Sequence, residues 1–405
     1  MKRHHLLVLL TVLPLLSPVA CAESLSAIFT NVAPAATTAM PRRANIILIV
    51  ADSLGYGDLS CYGQKKFQTP NLDKLAAGGI RFTNYYAGDA ASSPARAGLL
   101  LGKDSSHLKQ RADVDVPLAA DEITVAQILK NSGYHTGLIG EWNLGDETTT
   151  GAPWNKGFDE FAGYFNAADA ENYYAGYIWR YAPRGIINST NNQIEDYIGK
   201  EMLYPNTGGN KGQYIPDLYT KAAMNFIVNN QPDAFNRFRP FFLLVNYPTP
   251  RANAAEARRT GNGMQVPTDA PFSSEAWPQP EKNRAAMISR LDGDIGKLVE
   301  QLQKLNQSSN TVVFFSSAGI AKAGGGADPK FFGSNVASND LRVPMIVNWP
   351  GKIPAGRISA VKWAAKDFLP TATDIALIKP PGNIGGVSIF TALSGQTKTN
   401  RMETK

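Results

Sequence analysis

The pattern of apolar and polar positions divides this chain of 405 residues into strands buried on both faces and helices buried on one. Asn45–Ala51 (NIILIVA) is an almost unbroken aliphatic run, the pattern of a strand covered on both sides of a parallel sheet. Phe241–Asn246 (FFLLVN) and Thr311–Ser316 (TVVFFS) repeat it, and His135–Ile139 and Met345–Asn348 are shorter or edge candidates. Between them, apolar residues recur every three or four positions over Thr124–Asn131, Asp217–Asn229 and Glu281–Leu305, the period of a helix with one buried face. Strands alternating with helices predict an α/β fold with a mostly parallel central sheet and helices on both faces. Such sheets bind ligands at the carboxyl ends of their strands. Asp52, Ser53 and Asp58, just after the first run, are therefore the first polar residues to consider.

The segments outside this pattern change the picture little. Met1–Ala22 reads as a signal peptide, with Lys2 and Arg3, an apolar run from Leu6 to Leu16, and the small-x-small site Ala20-Cys21-Ala22. Lipid attachment at Cys21 is disfavoured by Pro18, which stands where a large aliphatic residue is usual. Residues 23–43, rich in Ala, Thr and Pro, read as a linker, 44–395 as the folded domain, and 396–405 as a polar tail. A periplasmic or secreted protein is expected. No later apolar run reaches the roughly 18 residues of a membrane span. Beyond the leader only Cys61 remains, so the hydrophobic core must hold the fold without an internal disulfide. The formal charge of +6 falls by two without Lys2 and Arg3, and the basic residues are scattered, which argues against nucleic acid and remains compatible with anionic ligands.

Six segments in fixed order say more. They are Asn45–Gly63 (NIILIVADSLGYGDLSCYG), Ser92–Gly102 (SSPARAGLLLG), Gly133–Gly140 (GYHTGLIG), Gly157-Phe158-Asp159, Arg342-Val343-Pro344 with Trp349-Pro350-Gly351, and Asp367–Thr371 (DFLPT). Together they resemble the type I sulfatases of the alkaline-phosphatase superfamily, from Asn45 to about Gly395. The first resembles the opening strand and metal loop of that family. The second resembles its signature, whose leading Cys or Ser is converted to formylglycine. The resemblance implies sulfate-ester hydrolysis: a hydrated aldehyde attacks sulfur, its second hydroxyl expels sulfate, and calcium and cationic side chains hold the anion. It makes Ser92, with formylglycine possible there, and Arg96 the candidate catalytic residues. It makes Asp52 a candidate metal ligand and implies sulfated glycans or other anionic small molecules as ligands.

Much of the implied machinery is replaced. Where the family has two adjacent acids after the first strand, this chain has Asp52-Ser53, and the later acid-amide pair is Ala318-Gly319. A GKWHLG-like segment with Lys and His reads Gly140-Glu141-Trp142-Asn143-Leu144-Gly145. The His of a PH dipeptide is Arg251 after Pro250, and the late Lys aligns with Gly333. Calcium takes six or more oxygen ligands, several of them charged. Weak or absent calcium binding is therefore expected, with Asp52 paired to Arg96 or Arg251, because an isolated buried carboxylate is costly. Arg251, Lys322 and Lys330 are candidate anion-binding residues.

Several residues also have a purely structural reading. His135 lies within a predicted strand and reads as a satisfied core residue, His107 as solvent-facing, and Cys61 as inert packing. Ser92-Ser93-Pro94 is a plausible helix N-cap. Tyr164, Tyr173, Tyr174 and Tyr177 form either a sugar-stacking insertion or a loop packed on the core. The small C-terminal subdomain of the family is expected to be missing or shortened. Three functions follow: a catalytically impaired protein that binds an anionic ligand or a protein partner of unknown identity, a working sulfatase with a rearranged shell, or a phosphate- or sulfate-transferring enzyme using unmodified Ser92, which is disfavoured because it too would want a metal.

Overall fold

The computed structural model describes residues 43–111, 116–188, 193–231, 239–319, 328–332 and 341–395. The strands are β1 (Asn45–Asp52), β2 (Ile80–Phe82), β3 (Tyr85–Tyr86), β4 (His135–Glu141), β5 (Glu160–Tyr164), β6 (Tyr177–Asn188), β7 (Gln193–Met202), β8 (Phe241–Asn246), β9 (Thr311–Ala318), β10 (Met345–Asn348), β11 (Arg357–Ser359) and β12 (Trp363–Ala364). The helices are α1 (Pro70–Ala77), α2 (Ser92–Leu101), α3 (Val125–Asn131), α4 (Ala167–Ala170), α5 (Ile215–Asn229), α6 (Ala254–Thr260), α7 (Gln279–Lys304), α8 (Phe368–Ile375) and α9 (Phe390–Ser394).

One sheet has the order β11-β2-β10-β9-β1-β8-β4-β5-β6-β7. Its centre, β9-β1-β8-β4-β5, is entirely parallel, and antiparallel pairing is confined to β10 and to the β6–β7 hairpin. The aliphatic run of β1 shows why. Ile46, Leu48 and Val50 enter one core with α2, α3 and α8, while Ile47, Ile49 and Ala51 enter a second with α5 and α7. Each of the five large side chains is 2% exposed or less, and burying one contributes about 1.5–3 kcal/mol. A strand with a polar face could not fill both cores, so the unbroken run and the two-sided cover are one fact.

The expected α/β architecture is present, and the predicted central strands and helices are in place. The sheet extends further than the apolar pattern indicated. β5 and the long β6–β7 hairpin were not evident because their aromatic residues obscure a simple period. Tyr164, Tyr173 and Tyr174 are buried there, and Tyr173 stacks on Tyr214 at 5.5 Å between ring centroids. Of the two alternatives, packing on the core is the one seen for Tyr164, Tyr173 and Tyr174, while Tyr177 is only partly buried and donates its hydroxyl hydrogen to Asp169.

The register gathers the site. Asp52 at the end of β1 faces Ala318 on β9, Val50 pairs with Asn246 on β8, and Asn246 pairs with Gly140 on β4. Gly140 has φ +108°, and a Cβ there would lie 1.9 Å from the Asn246 carbonyl oxygen. Only glycine lets β4 lie this close to β8 immediately before Glu141.

Candidate functional site

Four charged side chains meet at the carboxyl ends of β1 and β4. Arg96, on the second turn of α2, reaches Asp52 Oδ2 through Nη2 at 3.0 Å and Glu141 Oε1 through Nη1 at 2.7 Å. Arg251, in the loop after β8, reaches Asp52 Oδ2 through Nη1 at 2.9 Å and Glu141 Oε2 through Nη2 at 2.9 Å. Each carboxylate thus lies between two guanidiniums and each guanidinium between two carboxylates. These four groups carry no net charge, and Glu171 adds a third carboxylate on the outer side of Arg251, 3.9 Å from Nε. The ring side chains are 0–4% exposed, apart from Arg251 at 15%.

The electrostatics follow from this closure. Burial alone would push the Glu141 carboxyl up, but Arg251 and Arg96 outweigh it and hold the group at about 2. Burial would likewise discharge Arg251, yet Glu141 and Asp52 raise its affinity for its proton above that of a free guanidinium. Glu141, which stands where the family has a lysine, therefore fills the space between the two arginines.

Neighbouring groups fix the ring. Tyr173 donates its hydroxyl hydrogen to the Arg251 carbonyl at 2.6 Å or to the Pro248 carbonyl at 3.1 Å, and the Arg251 N–H donates to the Pro248 carbonyl at 2.8 Å. Arg251 Nη2 also donates to the Ala167 carbonyl at the start of α4. The Asn246 side chain donates to the Glu141 carbonyl at 2.8 Å, tying β8 to the end of β4. Beside the ring, Asp58 and Arg284 on α7 form a second buried pair at 2.7 and 3.0 Å. Sequence reasoning missed the parts Asn246 and Arg284 play here and gave Tyr173 only a stacking or packing role. The available signal for Arg284 was an arginine at an apolar-period position of α7.

Calcium does not fit these donors. Asp52 Oδ2 takes both guanidiniums, and Oδ1 accepts the Ser53 hydroxyl at 2.8 Å. Across the register stands the Ala318 methyl group, followed by Gly319, where an added Cβ would lie 3.0 Å from the Ala90 carbonyl oxygen just before α2. No group of three or more His, Cys, Asp or Glu suited to a metal occurs among the described residues. A hard cation wanting six to eight oxygens would meet two carboxylates already neutralised.

The other sequence candidates fall as follows. Ser92 is the first residue of α2 and half-buried, beside the ring in sequence and one helical turn before Arg96. It is not the N-cap: Ala91 takes that position without a side-chain bond, and Ser93 instead donates to the Asn143 carbonyl at 3.1 Å. His135 lies at the opposite, amino end of β4, where it contacts Glu160 at 2.6 Å and stacks on Phe226; its place is structural, but it is only partly buried and its Nδ1 has no hydrogen-bond partner, so it is not the satisfied core residue expected. His107 is exposed, as expected. Lys330 is exposed in a turn whose Asp328 N–H donates to Glu281 on α7, and it takes no part in the ring. Lys322 and Gly333 lie outside the described residues. Cys61 is partly buried, and burial pushes its thiol up to about 12, which fits the inert reading.

Comparison with known proteins decides the family: the sulfatase family matches residues 44–378. The chain belongs to the sulfatase family. Its fold is that of the type I, alkaline-phosphatase-like sulfatases, so the resemblance of the six segments holds. Among curated relatives of this sulfatase-family chain, dog N-acetylgalactosamine-6-sulfatase is 28% identical, covering 89% of this chain and 68% of the relative. Human arylsulfatase A is 29% identical, covering 91% and 71%. Among solved structures, Ps i-CgsB in complex with k-i-k-neocarrahexaose superposes with a TM-score of 0.67 at 27% identity, covering 88% of this chain and 77% of that one.

Proposed function

We propose that this sulfatase-family chain is catalytically impaired and serves in the periplasm or outside the cell as a binding protein, for a sulfated or otherwise anionic ligand or for a partner protein. The observation that carries the impaired reading is the closed ring of Asp52, Arg96, Glu141 and Arg251, so a ligand or partner is expected to bind away from the ring. Sulfate-ester cleavage needs uncompensated positive charge and a proton donor for the leaving group. Here both arginines are neutralised by carboxylates, Glu141 is held ionised, and neither described His is at the ring. Sulfated ligands are kept in view by relatives named as N-acetylgalactosamine-6-sulfatases and by a neighbour solved with an oligosaccharide.

A second reading, a working sulfatase with formylglycine at Ser92, draws support from family membership and from the placement of Ser92 at the start of α2. One experiment separates the two. Aryl sulfate turnover is compared between wild type and Ser92→Ala, with mass spectrometry of the peptide spanning Ser92. The impaired reading expects equal rates, because each lost acid-base group typically costs about 10²- to 10⁴-fold. Ser92-dependent hydrolysis together with a two-hydrogen mass loss at Ser92 would establish the working enzyme instead.

A further inference from the structure

Glu141 and Arg251 do more than fail to replace the expected lysine and histidine. The Glu141 carboxylate lies 2.7 Å from Arg96 Nη1 and 2.9 and 3.1 Å from the two terminal nitrogens of Arg251, the position an oxyanion held between the guanidiniums would take. Arg251 faces both carboxylates that end β1 and β4, at 2.9 Å each, which is how a bound cation would bridge them. Both groups are tethered where a diffusible ion would otherwise be needed. Glu141 closes a strand whose backbone is fixed by the Asn246 amide, and the Arg251 backbone is pinned by Tyr173.

We propose that the site is self-ligated, with Glu141 acting as a built-in anion for Arg96 and Arg251, and Arg251 as a built-in cation for Asp52 and Glu141. This deepens the impaired reading and rests on it. It adds that the ring conceals two latent ion sites of opposite sign. Removing Glu141 takes the negative charge from between the two guanidiniums, leaving Asp52 on one side and Glu171 3.9 Å from Arg251 Nε on the outer side, and opens a space between the guanidiniums suited to a tetrahedral oxyanion. Removing Arg251 leaves two carboxylates facing one guanidinium, a net negative pocket suited to a divalent cation. Removing both charges leaves the Asp52–Arg96 pair, neutral and matched.

The test is thermal melting of the full chain in sodium sulfate, calcium chloride and sodium chloride at matched ionic strength. Wild type is expected to show only the general salt effect of sulfate, with no calcium response. Glu141→Ala, which empties the space between the guanidiniums, should gain a sulfate rise several degrees beyond that of wild type and no calcium response. Arg251→Ala should gain a calcium-specific rise and no added sulfate response. Glu141→Ala with Arg251→Ala should lose both responses. Should Arg251→Ala be recovered only as aggregate, the Glu141→Ala arm decides by its sulfate response, lost again in the double variant. A calcium response in wild type, a sulfate response as large in wild type as in Glu141→Ala, or identical responses in both single variants would overturn self-ligation. None of these outcomes depends on turnover, so self-ligation can fail while the impaired reading stands, and Ser92-dependent hydrolysis would refute the latter separately.

Discussion

The two ends of β4 carry comparable charged clusters under different dielectric conditions. At the carboxyl end, Glu141 is fully buried in a ring of alternating sign. At the amino end, His135 meets Glu160 at 2.6 Å and Asp159 at 3.4 Å, while Lys130 and Arg239 reach Asp159 at 2.9 and 3.9 Å. The second cluster is partly open: the Lys130, Glu160 and Arg239 side chains are 38–49% exposed. Water can replace a partner there and cannot do so in the ring. Similar distances therefore carry different energies, and only the buried cluster determines what else can bind.

The sharpest way to break this contrast is to remove one charge from each cluster. Arg251→Ala should cost about 3–5 kcal/mol, because it strands a buried carboxylate. Lys130→Ala should cost about 0–1 kcal/mol, as an exposed pair does. Urea unfolding of the two variants measures this. A cost for Arg251→Ala no larger than that for Lys130→Ala would mean that water enters the ring freely.

Coupling gives a somewhat smaller signal. Glu141→Gln and Arg251→Ala touch the same network, so their joint effect should depart from additivity by about 0.5–3 kcal/mol, with the pair costing less than the sum. Arg251→Ala combined with Lys130→Ala should add within about 0.5 kcal/mol. A complete double-mutant cycle for each pair supplies the comparison.

Acid titration sharpens the same point. Glu141 is held at about 2 against an ordinary value of 4.5, a depressed carboxylate facing Arg96 and Arg251, with Asp52 and Glu171 nearby. Its contribution is therefore complete above pH 4.5 and is lost as pH falls through about 2. Comparing the acid dependence of stability for wild type and Glu141→Gln should show a difference that shrinks across that window. A difference unchanged over the whole window would show that Glu141 is not ionised in the fold.

The sequence made some of this legible and hid the rest for physical reasons. The strand β1 was readable because a run buried on both faces leaves no alternative pattern, and the replacements at Ser53, Glu141, Asn143, Arg251, Ala318 and Gly319 were readable against the family. The pairing of Asp52 with Arg96 or Arg251 was expected from the cost of a lone buried charge, and it occurs with both. The closure through Glu141 was not foreseen, because Asp52, Glu141 and Arg251 are brought together by the β1-β8-β4 register and Arg96 joins them from α2, a placement no local pattern reveals. Tyr173 was hidden for a similar reason. Its hydroxyl acts on a backbone carbonyl, and backbone partners leave no mark in side-chain patterns.

The smallest expected effect is that of calcium on the wild-type chain. Of the acids and amide that the family brings to its ion, Asp52 survives, and both of its oxygens are engaged, Oδ2 by two guanidiniums and Oδ1 by the Ser53 hydroxyl. Glu141 adds a second carboxylate, but Arg96 and Arg251 would have to be displaced before an ion reached it. Affinity should therefore be weaker than the roughly millimolar range of extracellular calcium modules. Mass action then limits stabilisation at about 1 mM calcium to about 0.4 kcal/mol or less. Melting with chelator and with calcium should coincide for wild type and for Asp52→Asn alike, although Asp52→Asn should itself be less stable because it strips one negative charge from between two guanidiniums. A calcium-dependent rise of many degrees in wild type that vanishes in Asp52→Asn would mean that the ring opens to admit a metal and that its closure is one state of two.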